Sequence, residues 1–578
     1  MTARRKSPWF RCGWRTVIAA SVVGVGLVGC GGGAREASSP TAASDRSSQA
    51  EGMPSDAWFE DAATEAGLDF RWKTVKKSPL NILEISSAGA GFLDFDQDGR
   101  LDIVFVGPEG AALYRNLDGK HFKRQSGSEG LTLPAGRWHG CASADLDNDG
   151  FPELLVTGFK DQRLFRNRKG RFVDVTAASG ITSRTWGTSA SFFDADGDGR
   201  LDLLLGSYVK FGPGSPEFMT RNGVQITLGP DAYQADKLKF FKNLGDLRFR
   251  DDTQTAGFHT TRGRAFGTAT ADFDNDGDTD VYVANDEMPG NLYVNDGKGR
   301  FVDRGSESGT AISGTGRRQG GMGVAWGDYN NDGLPDLLVT TFTQEPKSLY
   351  RNDGGGLFSE VSYETQLTQG ILPWVGFGVV YFDANRDGYL DVAMANGHVE
   401  DLIRHVDPSN DYPQPLKLFI NRSGKQFEDV TRRVGPGFDR SIVGRALAAG
   451  DYDNDGDTDL LAADLEGAPV LLRNDQIHGA RWIGFRLQAK GRSNSMAIGA
   501  RVTLKFQQGT QVREVRTDGS YLSTHDPRIV FGLHTYDQID EVTVRWPDGS
   551  TEKVTGPRQG LYYVWKQGAI VEAEKPPG

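Results

Sequence analysis

Short apolar runs alternating with acidic turns fill most of this chain. Leu201-Asp202-Leu203-Leu204-Leu205 and Val281-Tyr282-Val283-Ala284 read as buried strands, and each follows an Asp-rich loop. Ahead of the loops lie small-residue segments marked by Gly140, Gly187, Gly267, Gly323, Gly376 and Gly444. A third strand ends on an aromatic-x-Asn pattern: Tyr114 with Asn116, Phe165 with Asn167, Phe241 with Asn243, Tyr293 with Asn295, Tyr350 with Asn352, and Phe419 with Asn421. A Gly/Asp turn then leads to a fourth strand opening at Phe172, Phe249, Phe301, Phe358 or Phe427, with Phe122 a looser match. The unit recurs roughly every 50 to 80 residues, a spacing that suits four-stranded blades. The expected fold is all-β, a seven-bladed propeller over 57–475 followed by a small β-sandwich-like domain over 476–570. The seventh unit stops at Asn474 without a fourth strand. Trp58-Phe59-Glu60-Asp61 has the missing strand's pattern, so it is expected to complete the last blade and protect its edge.

The acidic loops carry the chemistry. Asp272-Phe273-Asp274-Asn275-Asp276-Gly277-Asp278-Thr279-Asp280 has carboxylates at alternate positions, then Gly, then a last acid at position nine. Calcium takes six to eight oxygens at about 2.3–2.6 Å, and a tight Gly turn lets a short loop supply most of them. An EF-hand would need flanking helices and an acid at position twelve, so this is a strand–loop–strand site. The seven candidate ligand sets are Asp94, Asp96, Asp98 and Asp102; Asp145, Asp147, Asp149 and Glu153; Asp194, Asp196, Asp198 and Asp202; Asp272, Asp274, Asp276 and Asp280; Asp328, Asn330, Asp332 and Asp336; Asp383, Asn385, Asp387 and Asp391; and Asp451, Asp453, Asp455 and Asp459. Up to seven Ca2+ ions are expected. The two Asn-containing loops carry one charge fewer and are expected to bind more weakly.

Net charge is −12 over 578 residues, and the loops account for most of the acidity. That balance opposes nucleic-acid binding, which wants a basic surface. Residues 1–29 contain Arg4, Arg5, Lys6, Arg11 and Arg15, then an apolar run from Val17 to Val28 too short to span a membrane comfortably. Leu27-Val28-Gly29-Cys30 resembles a bacterial lipobox, which would make Cys30 the lipidated mature N-terminus. Export across the inner membrane and anchoring at the cell envelope or surface follow from that reading. Residues 30–56 read as a disordered tether and 571–578 as a tail. Cys141 stands alone in a strand, so no disulfide framework is expected.

The repeats resemble the FG-GAP/VCBS family of calcium-loop propellers. The C-terminal motifs Asn494 with Ala497-Ile498-Gly499-Ala500-Arg501-Val502, Gly519-Ser520-Tyr521-Leu522-Ser523, Phe531-Gly532-Leu533 and Arg545-Trp546-Pro547-Asp548-Gly549 resemble the ASPIC/UnbV domain. The combination is similar to bacterial relatives of cartilage acidic protein, a resemblance that implies an extracytoplasmic binding protein and no known reaction. Residue by residue, the C-terminal motifs read as turns and strand ends of a sandwich.

Strand alternation puts the acidic loops and the Gly/Asp turns on one face. The other face receives the long insertions at 207–238 and 397–415, and long insertions usually carry function. Arg137, Trp138, Arg184, Trp186, Arg318, Trp374, His398 and Arg404 are the candidate ligand-binding residues there. The sequence lacks a nucleophile elbow, a phosphate loop, H-E-x-x-H and C-x-x-C. The preferred reading is a non-enzymatic binding or adhesion module for an extracellular protein or glycan. The alternative is a propeller enzyme, a lyase or hydrolase acting on extracellular polysaccharide from the insertion face.

Overall fold

Seven blades of four antiparallel strands make up the larger part of the structure, and in all but the last the strands read outward in chain order from an inner strand. The computed structural model describes residues 58–76, 78–126, 130–259, 263–475, 481–507, 509–534, 536 and 538–572. The leader, Cys30, the tether and the end of the tail lie outside the described residues. In the first blade the strands are Gly89–Leu93, Asp102–Gly107, Gly110–Asn116 and Phe122–Arg124. The other inner strands are Trp138–Ala144, Gly187–Phe193, Ala265–Ala271, Val324–Gly327, Gly376–Phe382 and Gly444–Gly450. Each inner strand contacts the next, and the seventh contacts the first, so the ring is closed. Phe59–Asp61 forms the outer strand of the last blade, with Phe59 opposite Asn474. The Phe59 ring is fully buried and lies 5.2 Å edge-on from Phe438.

The Asn that ends each third strand joins neighbouring blades. Asn167 Nδ2 donates to Phe95 O at 2.8 Å and Asn243 Nδ2 to Leu146 O at 3.0 Å, in both cases the second residue of the preceding blade's acidic loop. Asn295, Asn352, Asn421 and Asn474 repeat the contact on Ala195, Phe273, Tyr329 and Ala384. Asn116 closes the circle on Tyr452 O of the last loop at 2.9 Å.

The C-terminal domain is a sandwich of two four-stranded sheets. Its core includes Ile483, Phe485, Val502, Leu504, Phe531, Val542, Val544, Trp546 and Trp565 and runs on into blades two and three. Between its strands Gly509–Glu514 and Ile529–Gly532, the chain enters the axis of the propeller. There it meets all seven blades. Ser523 and Thr524 pair in parallel with Ala90 and Gly91 of blade one, and Thr524 Oγ1 accepts from Ser143 N–H of blade two at 3.3 Å. Leu522 N–H donates to Ser189 Oγ of blade three at 3.2 Å, and Thr270 Oγ1 of blade four donates to Asp518 Oδ1 at 3.2 Å. Ser520 bridges Val324 of blade five, and its hydroxyl accepts from Val379 N–H of blade six at 3.1 Å. Ser523 Oγ accepts from Leu447 N–H of blade seven at 3.2 Å. Tyr521 is fully buried at the far end, and its hydroxyl donates to Ser86 O at 2.8 Å. Gly519-Ser520-Tyr521-Leu522-Ser523 is therefore more than a set of sandwich turns: it is the axle of the propeller. A Cβ on Gly140 would lie 2.8 Å from the Leu522 side chain, which accounts for a glycine in that inner strand.

The axle also fills the centre of the insertion face. Tyr521 and Leu522 join Ile82, Trp186, Tyr208, Tyr233, Phe266, Met322 and Phe377 in one apolar cluster. Trp138 and Trp186 are 0% and 1% exposed, so both are packing residues and neither presents a surface to a ligand. Replacing Trp138 or Tyr521 by Ala should lower stability by about 3–5 kcal/mol, as for other buried aromatics. Arg184→Ala, at an exposed position, should stay within about 0.5 kcal/mol of the parent. Denaturant unfolding of the three variants checks the contrast.

Candidate metal centres and the opposite face

Each acidic loop follows an inner strand and makes one tight turn through its Gly. Gly99 has φ 89°, Gly150 93° and Gly456 87°, a left-handed region that suits glycine. The first carboxylate stabilises that turn. Asp94 accepts from the N–H groups of Asp98 and Gly99, both at 3.1 Å, and Asp145, Asp194, Asp328, Asp383 and Asp451 repeat the pair of bonds. The last carboxylate ties the loop to the strand behind it. Asp102 accepts from Phe95 N–H at 3.1 Å and from Asn116 N–H at 2.7 Å, and Glu153, Asp202, Asp336, Asp391 and Asp459 do the same in their blades.

Hydrogen bonds do not use up the carboxylates. Asp94, Asp96 and Asp102 bring oxygens within 4.8 Å of one another, as do Asp145, Asp147 and Glu153; Asp194, Asp196 and Asp198; Asp272, Asp274 and Asp276; and Asp451, Asp453 and Asp459. Burial, then neighbouring acids such as Asp96, push Asp102 up to about 9; burial likewise takes Glu153 to about 9 and Asp202 to about 8. Asp96 Oδ1, Asp147 Oδ1, Asp272 Oδ1 and Asp280 Oδ2 are buried without a hydrogen-bond partner. Unpartnered carboxylate oxygens, gathered and desolvated, fit a hard divalent cation, which would supply the missing positive charge.

The loops are not equivalent. In loops five and six the amides of Asn330 and Asn385 turn onto Asp332 and Asp387 at 2.7 and 3.0 Å, so the neutral side chain satisfies the neighbouring acid by itself. Loop three already holds a cation. Lys242 Nζ lies 2.5 Å from Asp196, 2.9 Å from Asp198 and 3.6 Å from Asp202, and the side chain is only 14% exposed. Arg115 and Arg166 approach loops one and two from more exposed positions, at 2.6 Å from Asp96 and Asp147. Sequence reasoning missed Lys242, although it directly precedes the clamp residue Asn243.

The C-terminal domain sits on this same face. Arg486 Nη2 reaches Asp94 Oδ2 at 3.2 Å, Tyr562 Oη donates to Asp451 Oδ2 at 2.6 Å, Ser495 donates to Asp145, and Arg545 pairs with Asp272. Cavities of about 340 and 200 Å³ remain between the domain and the loops, and His525, Asp526 and Arg528 line both.

On the opposite face the expected ligand residues separate into two groups. Trp138 and Trp186 belong to the packing described above, and Trp186 Nε1 donates to His139 Nδ1 at 3.0 Å. His398 is 3% exposed; its Nδ1 accepts from Glu400 N–H at 2.9 Å, and burial lowers it to about 4. Trp374 is half-buried against the cluster between blades five and six. Arg137 is half-buried, 3.7 Å from Glu84. Arg184, Arg318 and Arg404 are exposed, and Arg404 pairs with Asp411. The insertions lie across this face. Glu400 accepts from Thr227 N–H at 2.7 Å, and Lys76 and Asn81 both donate to Glu217 at 2.8 Å. The fully buried Arg445 holds the centre by donating to the carbonyls of Ile85, Gly397, His398 and Gly444.

Two family models match parts of this chain. The FG-GAP-like repeat model matches residues 94–156, 145–205, 272–339 and 400–462, and the ASPIC and UnbV model matches 490–571. Cartilage acidic protein 1 of Homo sapiens is 26% identical, over 80% of this chain and 69% of the relative. The protein of the same name from Xenopus tropicalis is 25% identical, over 80% of this chain and 70% of its own. Among solved structures, the BP39L lectin from Burkholderia pseudomallei aligns with 68% of this chain and 97% of its own, at 14% identity and a TM-score of 0.43. The chain thus carries FG-GAP-like repeats and an ASPIC and UnbV domain, and is homologous to cartilage acidic protein 1.

Proposed function

We propose that this protein is an extracytoplasmic, calcium-stapled propeller that acts as a binding or adhesion module for a protein or glycan partner. The observation that carries the calcium reading is the set of buried, unpartnered carboxylate oxygens within single-ion reach in the acidic loops. All donors are oxygens, which favours calcium over softer metals. Because the C-terminal domain covers the loop face, the partner is expected at the exposed rim of the opposite face. The enzymatic reading has less to support it, since His398 is buried and spends Nδ1 on a backbone bond. Leu27-Val28-Gly29-Cys30 supports a lipid anchor at Cys30. Cys30→Ser should move the protein from the membrane to the soluble fraction on fractionation; unchanged partitioning would refute the anchor.

Free calcium at about a thousand times Kd stabilises a folded state by roughly 4 kcal/mol per site. Chelation should therefore lower the Tm well beyond what one loose surface site would give, and an unchanged Tm would remove the staple. Asp453→Ala should cost more than Asn330→Ala, since loop seven closes the ring and has the extra charge. Calorimetric titration should resolve a tight class of about four ions, for loops one, two, four and seven, where acids converge without an internal lysine. Lys242→Met should add one tight ion.

Without metal, pH should act opposite to the usual carboxylate case. Asp102, Glu153 and Asp202 hold protons more tightly folded than unfolded. The folded state then binds more protons, so stability is full below the unfolded pKa and falls as pH rises from about 4 towards about 9. In saturating calcium, protons compete with the ion, and stability should fall as the solution is acidified. Melting curves at pH 5 and 8, with calcium and with chelator, should show this change of sign.

A further inference from the structure

The protein is acidic overall, at −12, yet its opposite face carries basic side chains that no acid neutralises. Lys160, Arg184 and Lys210 are exposed, and none pairs with a carboxylate among the described residues. They lie together. Phe159 N–H donates to Arg137 O at 2.8 Å, Lys160 N–H donates to Thr185 O at 3.0 Å, and Phe159 bridges Trp186. The acids nearby are already committed. Glu84 is 2% exposed and accepts from the backbone of Val75 at 2.8 Å, and Asp161 pairs with Arg163 at 2.7 Å.

Two half-exposed aromatic rings lie within this arc. Phe159 and Phe211 meet edge-on at 6.1 Å, and Lys160 Nζ stands 4.8 Å from the Phe159 ring centre. Lys160 has φ 60°, a conformation that costs a residue with a Cβ and that glycine would adopt freely.

We infer that the arc of Phe159, Lys160, Arg184, Lys210 and Phe211 binds an acidic polysaccharide, one bearing uronate or sulfate groups. Guanidinium and ammonium groups pair with such anions, while the apolar face of a sugar ring lies on a half-exposed aromatic ring. A protein partner fits less well. None of the large, well-exposed apolar residues among the described ones belongs to the arc, whereas protein interfaces centre on an apolar core. This inference deepens the binding-module reading and rests on it.

The test measures binding of the full chain to polygalacturonate, heparin, neutral dextran and a single-stranded oligonucleotide, each at low and high salt with calcium present. The two acidic polysaccharides should bind in a salt-sensitive way, and dextran should not. Lys160→Gly combined with Arg184→Gln should weaken binding at least about tenfold. The Gly substitution relieves the backbone, so the variant should keep its Tm. Lys298→Glu, an exposed site outside the arc, should bind like the parent. Equal affinity of the double variant and the parent would overturn the assignment, as would binding of the oligonucleotide alone or no preference for acidic polymers. Chelator melts on the same samples separate the two readings: an intact calcium response without polysaccharide binding rejects the arc and leaves the calcium-stapled propeller standing.

Discussion

A closed ring of blades leaves a row of inner strands facing an axis, and whatever fills that axis fixes the rest. Here the filling comes from the C-terminal domain. Residues 518–524 offer a backbone edge to Gly91 and hydroxyls to Ser143, Val379 and Leu447, so polar groups turned towards the axis find partners away from water. An unmet buried backbone group costs about as much as a lost hydrogen bond, so the axle is a condition of the fold. It also explains the small inner-strand residues: at Gly140 and Gly91 a Cβ would collide with Leu522 and Thr524.

The axle, the clamps and the acidic loops act on the same few atoms. Asn167 holds the carbonyl of Phe95, while Phe95 N–H donates to Asp102, the last acid of its loop. Asp94 turns its loop and also meets Arg486 of the C-terminal domain. A change of charge at one loop is thus felt by its own turn, by the neighbouring blade and by the domain above it. Such coupling ties the turns, the blades and the domain together through the same few contacts. Burial makes the charged form of these carboxylates costly, so the loops need a counter-charge, which loop three finds in Lys242 and loops five and six partly avoid with Asn330 and Asn385.

The opposite face shows how packing redistributes candidate residues. Trp138 begins its inner strand and is enclosed between blades one and two, while Trp186 directly precedes the next inner strand and joins the apolar cluster around the axle. His398 and Arg445 tie insertions to the ring. Solvent keeps only the ends of the connections, and there Lys160, Arg184 and Lys210 stay exposed while Arg404 pairs with Asp411.

Local order made much of this legible from the sequence: alternate carboxylates before a Gly, apolar runs after it, an aromatic-x-Asn ending, and a lone strand pattern at Trp58–Asp61 that pairs with Val470–Asn474. Seven copies of that grammar determine blades, loops and the closing strand, because each depends on residues a few positions apart. The axle, the partners of the clamp residues, the lysine in loop three and the burial of the tryptophans were decided only by the tertiary structure. Each joins residues far apart in the chain, as Tyr521 joins Ser86 and Trp186 joins His139. Periodicity reports which way a side chain points from its own strand. What stands opposite is settled by how the blades close around the axis.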